Sequence, residues 1–233
     1  MDVSDCSETT ETSVSQGSER VIAYVRAAMR EGRLAPGDRV IEREIARELQ
    51  MGRTPVREGI QVLIAQGYLV RTHQRSPRVK TWSRSEMLDF LEVWQVVGPL
   101  LMRLVAERIR IRDNSARVHN EIQNVRAAWT RHHTDRHAYL KAFGSYMATL
   151  LEIAGNPALT RACDSLNLEL YAGSMAQISD RRSDEYVQCM VEVDQAALDA
   201  QPDSVETAYR KFVVFLGQWL REDYHQAGNP ASP

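Results

Sequence analysis

One short break, Met51-Gly52-Arg53, constrains the fold more than any other feature of the chain. Before it, from about Glu42 to Gln50, Ile45, Ala46 and Leu49 fall on one helical face. After it, Thr54 is suited to an N-cap and Pro55 to the first helical position, so the spacing predicts a second helix from about Pro55 to Gln66. Val56, Ile60, Leu63 and Ile64 make its inner stripe, and Gly67 ends it. Two helices joined by a three-residue turn form a helix-turn-helix.

The flanks complete the unit. Ser18 is placed to cap an upstream helix reaching about Glu31, with Val21, Ile22, Val25 and Met29 inward. The Pro36-Gly37 pair marks a turn. Downstream, Tyr68–Val70 and Pro77–Trp82 read as short strands around a basic tip, His73-Gln74-Arg75. Three helices and a β-hairpin make a winged helix-turn-helix.

Charge follows the same division. At face value the net charge of -2 argues against nucleic acid, but it averages unlike pieces. Residues 18–82 carry 13 Lys and Arg against 7 Asp and Glu, whereas residues 83–233 carry 16 against 20. Residues 1–17 hold four acids, no Lys or Arg and few large apolar side chains, so they are expected to form a disordered tail. Arg53, Thr54 and Arg57 stand near the N-terminus of the third helix. That end of a recognition helix enters the major groove, where arginine reaches guanine or phosphate.

The stretch from Gly32 to Val70, GRLAPGDRVIEREIARELQMGRTPVREGIQVLIAQGYLV, resembles the DNA-binding module of the GntR family of bacterial transcription regulators. The P-G turn, the E-x-E-I-A segment and R-T-P-V-R-E occur in the family's order and spacing. The resemblance implies that Arg43, Arg53 and Arg57 contact DNA, with Thr54 at the backbone and His73 and Arg75 in the wing. Two positions depart from the pattern. Gly59 stands in mid-helix where the family has Ala, at a cost of roughly 1 kcal/mol in helix propensity. The wing lacks an R-G pair and reads Gln74-Arg75-Ser76-Pro77.

From Ser83 onward the chain reads as helical. Ser83 or Ser85 caps a helix that Gly98-Pro99 should kink or split before it continues to about Ile111. Further helices are expected over 115–131, 136–154, 157–178, 183–200 and 204–225, with short connectors and a frayed end at 227–233. The fold class is therefore mainly α: a winged helix-turn-helix (18–82) followed by an all-α antiparallel bundle of six or seven helices (83–226).

EVWQVVGPLLMRLVAERI and FGSYMATLLEIAGNPAL are similar to segments of the FCD domain, the effector domain that accompanies this DNA-binding module. Many FCD domains hold a divalent metal with one Asp and three His, and a carboxylate effector on it. By that resemblance the Asp position falls on Phe143 and one His position on Met147. The other two fall near Asp194 and Phe215, the effector-gripping Arg on Trp94, and a Glu on Gly98. Phe and Met do not ligate a hard divalent cation. The expected site is an apolar effector pocket walled by Trp94, Leu101, Phe143, Met147 and Phe215, with Asp194 as its charged handle and no metal or other cofactor. A metal-dependent carboxylate sensor with rearranged ligands, and a dimer that binds DNA without any effector, stand as the alternatives.

Catalysis is not expected. The sequence holds no G-x-S-x-G, P-loop, G-x-G-x-x-G or H-E-x-x-H. His132, His133 and His137 read as an exposed polar loop, and Cys6, Cys163 and Cys189 have no metal-knuckle or disulfide-framework spacing. No apolar run reaches the ~18 residues of a membrane span, and no leader pattern stands at the start, so a cytoplasmic setting is expected. The whole predicts a homodimeric repressor on a palindromic operator, released when a small molecule binds the helical half.

Overall fold

A computed structural model describes residues 15–71, 76–111, 114–177 and 182–226, the last four by backbone alone. The expected tail up to residue 14 and the frayed end at 227–233 lie outside these residues, as do His73 and Arg75.

Helix α1 (Gln16–Arg30) starts earlier than expected. Ser15, not Ser18, is its N-cap and accepts from the Ser18 N–H. Ser18 is buried instead, and its hydroxyl donates to the Ser15 carbonyl at 2.7 Å. Either serine suits a cap chemically; the chain geometry at Ser15 is extended and selects it.

Helices α2 (Glu42–Glu48) and α3 (Arg53–Ala65) form the helix-turn-helix. Here Thr54 does not cap: Gly52 is the N-cap, and Thr54 and Pro55 lie inside the first turn. Proline fits there because first-turn N–H groups have no intrahelical acceptor. Gly67, at φ 77°, turns the chain into strand β1 (Leu69–Val70), which pairs antiparallel with β2 (Arg78–Val79) in the register Leu69 with Val79.

Gly59 has a packing reason. A Cβ at this position would stand 2.7 Å from Val21 Cβ and 2.9 Å from the Ser18 carbonyl oxygen. The glycine therefore lets α1 and α3 approach more closely than alanine permits.

Seven helices follow among the described residues: α4 (Arg84–Arg108), α5 (Asn114–Trp129), α6 (Arg136–Ala154), α7 (Pro157–Ser165), α8 (Leu168–Met175), α9 (Ser183–Leu198) and α10 (Pro202–Gln226). Ser83 caps α4 in a capping box with Glu86. Of the kink or split expected at Gly98-Pro99, the split does not occur, and α4 runs through both residues. Pro99 cannot donate to the Gln95 carbonyl, and Arg210 of α10 donates to that oxygen instead, at 3.2 Å. Gly98 contributes by leaving room for the Tyr209 ring. Conversely, the helix expected over 157–178 is two, α7 and α8, because Asn167 adopts a left-handed backbone at φ 53°.

The two halves share a packed boundary. Leu170 of α8 is fully buried within the core of the winged helix, among Val21, Val25, Ile60 and Tyr68. Trp82 packs against Phe90 and Tyr171, and its backbone N–H donates to Ser174 Oγ at 2.9 Å. Arg136 pairs with Asp38, and His137 Nδ1 lies 2.7 Å from the Gly32 carbonyl oxygen. Of the histidine cluster expected as an exposed polar loop, His133 and His137 are exposed, His137 still reaching the Gly32 carbonyl, whereas His132 is buried and stacked on Trp129. Spacing alone did not reveal the burial of His132, because Trp129, three residues before it, supplies the covering ring.

Candidate nucleic-acid interface and effector region

The inner stripe of α3 buries Val56, Ile60 and Leu63, which forces the opposite face outward. Arg53 and Thr54 in its first turn, and Arg57 one turn on, are all exposed. Arg43, one residue into α2, is also exposed. Arg57 Nε lies 3.6 Å from Glu42 Oε2 while its side chain stays 76% exposed, so this pair costs little to break. Glu42 also receives Arg71, at 3.0 Å, from the end of β1. The result is a cationic helix start with free backbone N–H groups, which suits phosphate and base edges.

The helical half differs from the pocket expected of it. Trp94 is buried, and its indole N–H donates to the Tyr209 hydroxyl at 2.9 Å. Leu101 is fully buried in the core. Phe215 lies beneath the Arg182 guanidinium, its ring centroid 4.6 Å away, and beside Trp219. Asp194 is buried on α9, and Oδ2 has no hydrogen-bond partner among the described residues. Desolvation pushes its carboxyl up to about 7, against the pull of Arg126. Of the expected wall, Phe143 and Met147 alone meet at a described cavity, at the edge of the bundle.

The centre holds side chains that no sequence motif singles out. Tyr139, Tyr146, Tyr171, Tyr186 and Tyr209 are buried, and burial raises every one of these phenols well above its ordinary value. Tyr139 and Tyr186 both pack on Trp129. Tyr171 stacks on Phe90 at 4.3 Å, and its hydroxyl has no partner among the described residues. The recurrence of Tyr139 and Tyr146 on the inward face of α6 was the available signal.

The donor set does not fit a divalent metal. Where the resemblance places the family's ligands stand a benzyl ring, a thioether, one carboxyl and a second ring.

A basic, exposed recognition helix on a winged helix-turn-helix, joined to a seven-helix bundle, defines a DNA-binding regulator with a ligand-sensing domain. Residues 17–79 match the family model of bacterial regulatory proteins, gntR family, and residues 89–214 match the FCD domain. The chain belongs to the GntR family, with an FCD effector-binding domain, and it is a DNA-binding transcriptional regulator rather than an enzyme. It is 24% identical over 202 residues to a probable D-xylose utilization operon transcriptional repressor of Paenarthrobacter nicotinovorans, covering 84% of this chain and 85% of that one. Among solved structures it is similar to E. coli McbR/YncC, with a TM-score of 0.66 at 15% identity over 90% of this chain and 99% of the other. A putative GntR regulator from Rhodococcus sp. RHA1 also gives a TM-score of 0.66, at 16% identity over 89% and 99%. These two likenesses concern the fold. No described helix is long and apolar enough to cross a membrane.

Proposed function

We propose that the protein is a homodimeric repressor that binds a two-fold-symmetric operator and leaves it when a small molecule occupies the helical domain. The observation that carries the DNA part is the outward cationic start of α3, with Arg53, Thr54 and Arg57 exposed together. Arg43 joins them from α2, and His73 and Arg75, outside the described residues, are the further DNA contacts that the family resemblance implies. Repression is the sign that fits the probable repressor to which the chain is similar. The boundary between the two domains is placed near Trp82 and Ser83.

Dimerisation is supported by an unpartnered face. Val93, Val96 and Leu100 recur along one side of α4 at helical spacing, and each is at least 45% exposed. Val214 of α10 adds to this apolar surface. A second copy packed antiparallel across Val96 would cover the stripe and bring Asp89 of one copy to Arg103 of the other. Dimer symmetry then matches a palindromic site.

For the effector, the apolar and aromatic lining of the helical domain supports a mainly uncharged ligand. Phe143 and Met147 line a cavity, while Trp94, Leu101, Asp194 and Phe215 form the packed interior that would transmit its occupancy. The ligand acts through a difference in affinity between two dimer geometries. The deciding experiment is operator binding by fluorescence anisotropy. Arg53→Ala and Arg57→Ala should each weaken specific binding by about 1–3 kcal/mol and leave the fold intact by circular dichroism. Unchanged affinity in both variants refutes the placement of α3 in the groove.

A further inference from the structure

The carboxylate of Glu42 stands where the helix-turn-helix and the hairpin meet. Glu42 is the first residue of α2, which fixes its backbone. Its two oxygens serve two different elements. Oε1 accepts at 3.0 Å from the guanidinium of Arg71, the residue that follows β1. Oε2 lies 3.6 Å from Arg57 Nε on α3. One side chain therefore links the root of the wing to the recognition helix. Arg78, on the facing strand, is engaged elsewhere and donates to the Gly37 carbonyl at 2.6 Å.

The pairing leaves Arg57 in a particular posture. Nε is the atom nearest the carboxylate, so the outer edge of the guanidinium, Nη1 and Nη2, is left for other acceptors, and the side chain is 76% exposed. That edge carries the parallel N–H pair that matches O6 and N7 of guanine. A free arginine spreads over many rotamers, and restraining it beforehand reduces the entropy lost on binding. Glu42 also brings a penalty. With Arg43, a proposed DNA contact, it lines an open cleft of about 370 Å³ between the start of α2 and the hairpin, where a lone carboxylate would repel phosphate. Arg71 offsets that charge and holds the carboxylate from the hairpin. In water such pairs are weak. Against a duplex both partners lose solvent, the local dielectric falls, and the hold of the carboxylate on Nε strengthens.

We propose that Glu42 determines base specificity: anchored by Arg71, it orients Arg57 to read a guanine. Glu42 and Arg71 are positioning residues, because Arg57 alone of the three touches the base. The inference adds two residues to the DNA interface and rests on the placement of α3 in the major groove. Arg71 follows the last residue of the family-like stretch, Gly32–Val70, so motif matching does not single it out.

The test reads base preference rather than affinity alone. The full-length wild-type protein first selects a duplex from a randomised pool. Each G·C pair of that duplex is then replaced by A·T in both half-sites, and binding is followed by fluorescence anisotropy. The pair whose replacement no longer matters to Arg57→Ala is the one that Arg57 reads. Glu42→Gln keeps the size of the side chain but turns an NH2 group toward one of the two arginines. It should lose about tenfold of the discrimination at that pair and keep it at the others. Arg71→Ala should lose about fivefold at the same pair, whereas Arg71→Lys, which keeps the charge, should retain most of it. Adding Glu42→Gln to Arg57→Ala should cause no further loss of discrimination there. Wild-type discrimination by Glu42→Gln at the Arg57 pair, or a parallel loss at every pair, overturns the proposal. If Arg57→Ala weakens all the duplexes equally, Arg57 contacts phosphate, and this proposal alone fails. If Arg57→Ala binds every duplex as the wild type does, the placement of α3 itself is refuted.

Discussion

Asp194→Asn is the substitution whose effect can be worked out most fully. Asp194 is buried on α9 near Tyr146 and Tyr186, with Arg126 as the nearby cation. Desolvation raises its carboxyl from the usual 3.8 to about 7. The native state therefore holds a proton over a range in which the unfolded chain has lost it. Stability is full below the unfolded value and falls as pH rises, until the native carboxyl also ionises near 7. Each pH unit crossed between the two ionisations costs about 1.4 kcal/mol, and the part of that window lying between pH 5 and pH 8 amounts to about 3 kcal/mol. Asparagine keeps the shape and cannot ionise. Relative to wild type, Asp194→Asn should thus gain about 3 kcal/mol between pH 5 and pH 8. Urea unfolding of both proteins at the two pH values, followed by circular dichroism, measures this double difference and cancels every other titrating group. Parallel pH dependences, within about 0.5 kcal/mol, would show that Asp194 ionises as an ordinary carboxyl, and the desolvation argument would fail.

Three further outcomes are expected. Gly59→Ala should destabilise by about 1 kcal/mol, because gained helix propensity is outweighed by contact with Val21 and the rigid Ser18 carbonyl; a stabilised variant in thermal melts would contradict the packing account. Leu170→Ala should cost about 2–5 kcal/mol and lower the melting of the winged helix, although the residue lies on α8; loss confined to the helical domain would show that the shared core is not continuous. Val96→Glu with Leu100→Glu should shift the protein to monomer in analytical ultracentrifugation while leaving the helical content unchanged; an undisturbed dimer would move the interface elsewhere.

The DNA-binding half was legible because its signals are local. The break at Met51–Arg53, the glycine at 67 and the stripes of α2 and α3 act through neighbouring backbone and bury only their own faces. Differences there lie at element ends: Ser15 and Ser18, or Gly52 and Thr54, compete for one cap, and the strand expected over Pro77–Trp82 is only Arg78–Val79. The candidate effector site was far less legible. Trp94, Asp194 and Phe215 are inward, as their positions suggested, yet each is taken up by a neighbour or sealed in the core.

The amino-acid sequence alone determined the resemblance to the family, the order of the elements in the DNA-binding half and the cationic face of α3, since motif spacing and charge are properties of short stretches. Only the tertiary structure decided that Pro99 leaves α4 unbroken, because Arg210 arrives from α10 to take the orphaned carbonyl. It also decided that Leu170 completes the winged-helix core and that Arg30 walls a cavity of the helical domain. These contacts join residues more than a hundred positions apart, and helical periodicity indicates which way a side chain points but not what it meets there.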